Sequence, residues 1–211
     1  MAVGGGRFLG GRARETDAEE MPGRDRMYET VLSCTLPYLR PGDQVLDLGC
    51  GTGTLTVALA ARAARVRAID ASEEMVRQTA ARAARAGAEN VQAVRTDLFD
   101  PDLEPGSCDV VTAFNVLCYV EDQVAALARI RSLLKPGGLF LSVTDCLGER
   151  PTKDGLQKLW RSRTGAMPYV AFYRAVGLEE TIARAGFLIL ERERLFRVPP
   201  SLFVAARKGG N

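Results

Sequence analysis

The feature that most constrains this chain is an apolar run that passes directly into a glycine-rich turn, Val-Leu-Asp-Leu-Gly-Cys-Gly-Thr-Gly at residues 45–53. The apolar residues predict a buried strand over 44–48, and a helix is expected from about 53 to 63. This order brings backbone N–H groups and a helix N-terminus to one point. Such a turn suits a nucleotide-like ligand, although an ordinary strand-to-helix turn can have the same pattern.

The glycine spacing distinguishes this turn from two other ligand-binding loops. Gly49, Gly51 and Gly53 form a G-x-G-x-G pattern. The dinucleotide fingerprint requires its third glycine one position later, where this chain has Thr54. A phosphate-cradling loop requires a lysine that this turn does not contain. The spacing therefore favours neither of those two ligand classes.

The rest of the chain alternates between strands and helices before the pattern changes near its end. Helices are predicted at about 24–39, 72–86, 121–134 and 176–185, and strands at 66–69, 91–95, 109–115, 139–144, 187–197 and 202–206. Alternation of strands and helices implies a parallel sheet covered on both faces. The last two strands have no helix between them, which predicts an antiparallel hairpin at the sheet edge. The predicted fold class is α/β, with a single doubly wound, mostly parallel seven-stranded sheet.

Length and composition limit the number of domains and the classes of partner. A chain of 211 residues is expected to form one domain, here over 21–211, behind a flexible glycine-rich tail at 1–20. The irregular segment 147–173 is expected to be an insertion that caps a substrate. A net charge of +2 gives no strong attraction to nucleic acid or to a membrane surface. Residues 1–14 carry three arginines and no acid, so a targeting segment stays open as an alternative.

The absence of histidine from the sequence removes several kinds of chemistry. It excludes a histidine general base, a histidine-containing triad and histidine metal ligands. The five cysteines contain no C-x-x-C pair, which is typical of reduced thiols in a cytoplasmic protein, and no metal site is expected. No apolar run reaches the length of a membrane span.

The glycine run resembles motif I of the class I S-adenosylmethionine (SAM) dependent methyltransferases. The order of elements from about residue 43 to 208 is similar to theirs, including the final hairpin and the Lys135-Pro136-Gly137-Gly138 turn before the fifth strand. The resemblance implies transfer of the methyl group of SAM to a small-molecule acceptor by in-line displacement. The acceptor atom, which can be oxygen, nitrogen or sulfur, stays open, as does the oligomeric state.

The resemblance also implies where the cofactor is held. Asp47 would orient the glycine turn and the methionine ammonium, or alternatively satisfy N–H groups of the turn. Asp70 would accept from the ribose hydroxyls, a role that its place at a strand end also favours. Met75 would pack against the adenine, unless it is a core methionine. Asp97 would accept from the adenine amino group, unless it caps a loop. The full set expected at the cofactor is Asp47, Gly49, Cys50, Gly51, Gly53, Asp70, Ala71, Met75, Asp97, Leu98 and Asn115.

The residues expected at the acceptor are less well defined. Relatives often carry a histidine after the fourth strand, where this chain has Leu117-Cys118-Tyr119. Tyr119 and Asp145 are therefore the weak candidates for a catalytic base. The residues expected to line the acceptor pocket are Tyr28, Tyr119, Tyr169, Phe172 and Tyr173. An equally open interpretation is that the aromatic residues close a small core under a long loop.

Four other functions remain as alternatives, of which the most distant is a thiol-using metalloid methyltransferase, suggested only by Cys34, Cys118 and Cys146. An RNA or protein methyltransferase would share the fold, although the Asn-Val-Leu-Cys sequence at 115–118 differs from the Asn/Asp-Pro-Pro-aromatic motif of enzymes that methylate base amino groups. A SAM-binding module without catalysis is compatible with the missing histidine. A nicotinamide-dependent oxidoreductase is disfavoured by the glycine spacing and by the final hairpin.

Overall fold

The computed structural model describes residues 24–149, 156–157, 160–161, 164 and 169–210. The strands, in chain order, are β1 Gln44–Leu48, β2 Arg65–Asp70, β3 Val91–Arg95, β4 Cys108–Phe114, β5 Leu134–Asp145, β6 Phe187–Arg197 and β7 Pro200–Lys208. The described helices are α1 Arg24–Thr35, α2 Thr54–Ala60, α3 Glu73–Arg85, α4 Gln123–Leu133 and α5 Ala175–Arg184. Short 3₁₀ turns at Leu36–Tyr38 and Leu117–Tyr119 follow α1 and β4.

All seven strands form one sheet with the order β3-β2-β1-β4-β5-β7-β6. The first five strands pair in parallel, and β7 pairs antiparallel with both β5 and β6. The predicted fold class and its terminal hairpin are thereby confirmed. The chain runs outward from β1 to β3 and then returns to place β4 on the other side of β1. The carboxyl ends of β1 and β4 therefore mark the switch point at which such sheets bind ligands.

The strands are apolar because helices cover both faces of the sheet. On one face, Val31 of α1 and Leu59 of α2 pack with Leu141 in one core cluster. On the other face, Ile130 of α4 and Leu178 of α5 belong to a second cluster. Successive residues of β5 point to opposite faces, and this alternation decides which of its side chains reach the site.

The fifth strand begins earlier than the predicted 139–144. Leu134 already pairs with Cys108, and a register shift then brings Leu139 opposite Val110. The Lys-Pro-Gly-Gly sequence lies inside this irregular stretch rather than before the strand. Proline and glycine are poor strand residues, so sequence preference alone places the start of the strand after them.

Two predicted segments fall outside what the structure describes. The expected tail at 1–20 lies entirely outside the described residues, and so does most of the expected insertion at 147–173. Within the part of the chain that is described, no helix is long and apolar enough to cross a lipid bilayer.

Candidate cofactor and acceptor site

The glycine turn is held against β2, the neighbouring strand. The backbone N–H groups of Gly49 and Cys50 both donate to the carbonyl oxygen of Ile69, at 2.8 and 3.0 Å. Asp70 accepts from the backbone N–H of Gly51 at 3.1 Å. Its other carboxylate oxygen accepts at 2.9 Å from the backbone N–H of Ser72, the N-cap residue of α3. Asp70 therefore joins the glycine turn to α3, and its remaining lone pairs can still accept from a ligand.

Helix α3 holds the same turn from the other side. Thr79 Oγ1 donates to the carbonyl oxygen of Gly51 at 2.8 Å, and Arg82 Nε donates to that of Thr52 at 2.9 Å. These two side chains were not among the predicted site residues. Their spacing of three places them on one helix face, which is the signal that sequence reasoning could have used.

The three glycines of the turn differ in what surrounds them, although all have positive φ angles of 70°, 55° and 80°. A Cβ atom on Gly49 would collide with the Val116 side chain, and one on Gly53 would lie 2.8 Å from the Cα of Thr79. A Cβ atom on Gly51 would meet no atom of the described residues within 4 Å. Gly51 is therefore the glycine that presents bare backbone to open space, while the other two allow close packing.

Asp47 is buried beneath the turn. Its two carboxylate oxygens accept from Thr56 Oγ1 at 2.6 Å and from Thr112 Oγ1 at 2.8 Å. Burial raises the pKa of the Asp47 carboxyl, and the two threonine hydrogen bonds act in the opposite direction. The partners are hydroxyl groups rather than the turn N–H groups considered from the sequence. Two fixed hydrogen bonds hold the carboxylate in one orientation at the floor of the site.

The ends of β2 and β3 lie side by side, which brings the predicted adenosine-binding residues to one edge of the sheet. Asp97 accepts from the backbone N–H of Phe99 at 2.7 Å, the loop-capping contact that the sequence left as an alternative. The carbonyl oxygen of Ala71 accepts a hydrogen bond from Nε of Arg95, the last residue of β3, at 3.4 Å. Met75 and Leu98 are buried, with 5% and 0% of their surface exposed. Both therefore serve as packing residues beneath this edge.

A cleft of about 690 Å³ opens at the switch point, between the glycine turn, α1, the ends of β4 and β5, and the start of β7. Its volume lies within the roughly 300–1,000 Å³ of small-molecule sites. Of the predicted cofactor, acceptor and catalytic residues, the cleft brings together Tyr28, Asp47, Gly49, Cys50, Gly51, Asn115, Tyr119 and Asp145. Residues that sequence reasoning missed also line it, among them Arg26, Phe196 and Ser201.

Asn115, one of the residues that line this cleft, has a strained backbone conformation. Its φ of 55° lies in the left-handed region, which asparagine tolerates better than most residues. Its backbone N–H donates to the carbonyl oxygen of Val143 at 2.7 Å. The side-chain Oδ1 is buried and has no hydrogen-bond partner among the described residues. A buried acceptor without a partner in a cleft suits a ligand that carries a donor, such as an ammonium group.

The aromatic residues expected around the acceptor are divided among three places. Tyr28 and Tyr119 line the cleft, as expected. Tyr173 belongs to the core cluster beside α4 and α5, and Tyr169 packs against that cluster. Phe172 lines a separate cleft of about 730 Å³ near the start of α5. For Tyr169 and Tyr173 this placement matches the alternative of a small core under a long loop. The segment is held there by a hydrogen bond from the Ala171 N–H to the carbonyl oxygen of residue 118, at 2.7 Å.

The cysteine side chains near the site are inert. All five cysteines lie in the described part of the chain and are thiols rather than disulfides. Burial raises the pKa of Cys50 to about 12 and that of Cys146 to about 11. Thiols with such pKa values stay protonated near neutral pH, so they are poor nucleophiles.

Comparison with known proteins agrees with this fold. The sequence model of a family described as a methyltransferase domain matches residues 45–138. The ubiquinone biosynthesis O-methyltransferase of Xanthomonas campestris pv. campestris (strain B100) is 42% identical over 106 residues, which are 48% of this chain and 43% of that protein. The chain spans less than half the length of the curated relatives it matches, such as this one.

Solved structures share the fold at lower sequence identity. The N-methyltransferase NodS from Bradyrhizobium japonicum WM9, in complex with S-adenosylhomocysteine, matches with a TM-score of 0.70 at 18% identity, over 94% of each chain. The [4+2]-cyclase SpnF matches with a TM-score of 0.71 at 20% identity, over 94% of this chain and 86% of that chain. The resemblance to the class I SAM-dependent methyltransferases is supported at two levels: residues 45–138 match the sequence model of a methyltransferase domain, and the chain shares its fold with these solved structures.

Proposed function

We propose that this chain transfers the methyl group of SAM to a small-molecule acceptor. The observation that carries the proposal is one continuous cleft at the switch point. It is lined by the bare backbone of Gly51, called here the glycine end, and also by Tyr28, Tyr119 and Asp145, called here the acceptor end. A group-transfer enzyme needs its two ligands in contact. A single cleft that is lined both by the glycine turn and by the aromatic and acidic residues can hold them together.

The polar groups at the glycine end fit SAM. Asp70 keeps lone pairs for the two ribose hydroxyls while it accepts from Gly51. Asn115 offers a buried oxygen without a partner to the methionine ammonium. Gly51 leaves room for the methionine chain to lie against the backbone. Asp97, Ala71, Met75 and Leu98 would shape the adenine end from the ends of β2 and β3 and the start of α3.

The chain's own contribution to the reaction is positioning and proton removal. When bound, SAM supplies a methyl group on a positively charged sulfur that leaves as a neutral thioether. The walls of the cleft hold the acceptor in line with that methyl group and exclude bulk water. A hydroxyl acceptor must also lose its proton. We assign this role to Asp145 rather than Tyr119, because an unperturbed phenol ionises near pH 10, stays protonated near neutral pH and so cannot take up the proton.

The acceptor that fits this cleft is small and at least partly aromatic. Phe114, Phe196 and Tyr28 give the acceptor end flat apolar walls, which suit a ring. The curated relative from Xanthomonas is named as an O-methyltransferase, which favours a hydroxyl acceptor. We also propose that segment 147–173 caps the acceptor.

A second candidate function is a SAM-binding protein that does not transfer methyl groups. Two observations favour keeping it: the sequence contains no histidine, and a protein named as a [4+2]-cyclase shares the fold. Such a protein would bind S-adenosylhomocysteine through the same glycine turn but would need no base at Asp145.

The two candidates are separated by a transfer assay. The protein is incubated with SAM and a panel of small phenols, catechols, amines and thiols, and S-adenosylhomocysteine and the methylated acceptor are measured by mass spectrometry. The proposal expects S-adenosylhomocysteine to form in equal amount with a product heavier by one methylene unit. Binding of S-adenosylhomocysteine without transfer across the panel would instead support the second candidate.

A further inference from the structure

Ser201, at the start of β7, is a buried hydroxyl that faces the acceptor end of the cleft. Its exposed fraction is 3%, and it lines the cleft. Its Oγ atom has no hydrogen-bond partner among the described residues. A buried hydroxyl without a partner is unfavourable, so a site that keeps one is expected to satisfy it with a ligand or a water molecule.

Sheet pairing places this hydroxyl directly beside Asp145. In the antiparallel ladder between β5 and β7, Asp145 is opposite Ser201. The Cys146 N–H donates to the carbonyl oxygen of Pro200 at 2.6 Å, one step beyond this pair. That bond makes the Asp145–Ser201 pair a non-hydrogen-bonded one, in which the two side chains approach most closely. Both side chains line the cleft, so a single ligand group can contact both.

The third strand of this edge supplies an apolar wall next to the two polar groups. Phe196 of β6 is opposite Ser201 in the β6–β7 ladder, and it also lines the cleft. The resulting row of Asp145, Ser201 and Phe196 crosses three neighbouring strands on one face. Such a row suits a ring that carries one hydroxyl group, with the ring against Phe196 and the hydroxyl between the other two residues.

A comparison within the same strands shows that an unpaired hydroxyl alone does not make a site. Ser142 Oγ and Thr144 Oγ1 on β5 are also buried, and neither has a hydrogen-bond partner in the part of the chain that the structure describes. Both alternate with Val143 and Asp145 along the strand, and so they point to the opposite face of the sheet, away from the cleft. Ser201 differs from them because its side chain is on the face of the sheet that lines the cleft.

We propose that Ser201 determines the specificity of this site for a hydroxyl group. Its Oγ–H donates to the oxygen of a neutral phenol or alcohol, whose own O–H donates to the Asp145 carboxylate. This inference rests on the proposed function and deepens it, since it names the acceptor class and the residue that selects it. The pairing of the hydroxyl with both groups fixes the oxygen at one point of the cleft.

The experiment measures how the protein, saturated with S-adenosylhomocysteine, discriminates phenol from toluene, in which a methyl group replaces the hydroxyl and no oxygen is left to accept from Ser201. Dissociation constants are obtained by ligand-observed NMR for the wild-type chain, Ser201→Ala and the matched control Ser142→Ala. We expect the wild-type chain to favour phenol by about tenfold, and Ser201→Ala to reduce this ratio at least about threefold. Ser142→Ala, which also removes a buried unpaired hydroxyl, should leave the ratio unchanged.

The variant itself is expected to fold, because Ser201→Ala removes a hydroxyl that forms no hydrogen bond within the described chain. Unchanged affinity for S-adenosylhomocysteine provides the check. A phenol preference that Ser201→Ala does not alter, or that the wild-type chain lacks, overturns this inference while S-adenosylhomocysteine binding still supports the proposed function. Failure of the wild-type chain to bind S-adenosylhomocysteine overturns both.

Discussion

The two halves of the sheet treat their buried polar groups differently. In the half formed by β1 to β3, the polar groups of the glycine turn and its neighbours are paired within the chain: Asp47 with two threonines, Asp70 with two backbone N–H groups, and the Gly51 carbonyl with Thr79. In the half formed by β5 to β7, Ser142, Thr144 and Ser201 carry buried hydroxyls with no partner in the described structure. Two buried groups depart from this division: Arg67 Nε of β2, and Asn115 Oδ1 after β4, which lies between the two halves and is the one group proposed for the cofactor that has no partner in the described structure.

This difference indicates two kinds of binding surface. The glycine-turn half is fixed by its own hydrogen bonds before any ligand arrives, which lowers the cost of ordering a site on binding. The β5–β7 half leaves at least one hydroxyl in the cleft to be satisfied from outside. One surface has its hydrogen bonds already formed, which suits a cofactor that is always the same molecule. The other has an unpaired hydroxyl, which suits an acceptor that the chain must select among small molecules.

The largest effect is expected at the glycine turn. Gly51→Val should weaken binding of S-adenosylhomocysteine by more than about a hundredfold, since the new side chain fills the space that the ligand needs. Gly87→Val is the matched control: Gly87 has a φ of 65° and, like Gly51, no atom within 4 Å of a built Cβ. Both variants place valine at a similar positive φ and so have similar backbone strain. Calorimetry should show that only Gly51→Val loses affinity for S-adenosylhomocysteine. Equal losses would mean that strain alone accounts for the effect.

The next largest effect is expected at Asp145, on the acceptor side. Asp145→Asn should lower the rate of methyl transfer to a phenolic acceptor by about a hundredfold, because the amide cannot take up the proton. The affinity for S-adenosylhomocysteine should change less than twofold. The rate of S-adenosylhomocysteine formation at saturating SAM is the measurement. A variant as fast as the wild-type chain would remove Asp145 from the reaction.

A smaller effect is expected at Asp70. Asp70→Ala should weaken S-adenosylhomocysteine binding by about tenfold, because it leaves the ribose hydroxyls and the Gly51 N–H without an acceptor. Glu73→Ala is the control, since it also removes a negative charge from the first turn of α3 but does not contact the turn. If both variants lose affinity equally, the contribution of Asp70 is a general effect of charge at the helix N-terminus.

The smallest effect concerns the pH dependence of stability at Asp47. Burial raises the pKa of this carboxyl in the folded chain. At a pH between the unfolded and the folded pKa values, the folded chain binds a proton at Asp47 and the unfolded chain does not. The stabilising contribution of this group is therefore complete at low pH and is lost as the pH rises through the raised pKa of the folded chain. The free energy of unfolding of the wild-type chain, relative to Asp47→Asn, should therefore fall as the pH rises above about 4. Urea unfolding at a series of pH values measures this difference, and a rise over that range would contradict the account.

The two halves also differ in how well the sequence predicts them. The limits of β1 and β3 follow from the sequence, and so does the glycine turn, because a positive φ requires glycine and a strand buried on both faces is apolar. The contacts of Asp47 with Thr56 and Thr112 could not be predicted, since they join side chains from separate elements. They form only when the sheet has assembled.

The acceptor half depends on register rather than on local sequence. Ser201 comes beside Asp145 only because β7 returns antiparallel to β5, and a shift of one residue would turn its side chain to the other face. Tyr173 was expected in the pocket because it is aromatic, but aromatic residues serve equally well in a core, and the structure buries it there. No local sequence pattern separates these two outcomes.

The central claim is that the glycine turn and Asn115 form a SAM site, and it is tested most directly by calorimetric titration of the wild-type chain with S-adenosylhomocysteine, with NADH titrated in parallel. The account predicts saturable binding of S-adenosylhomocysteine at one site per chain and no binding of NADH. Binding of NADH without binding of S-adenosylhomocysteine would contradict it.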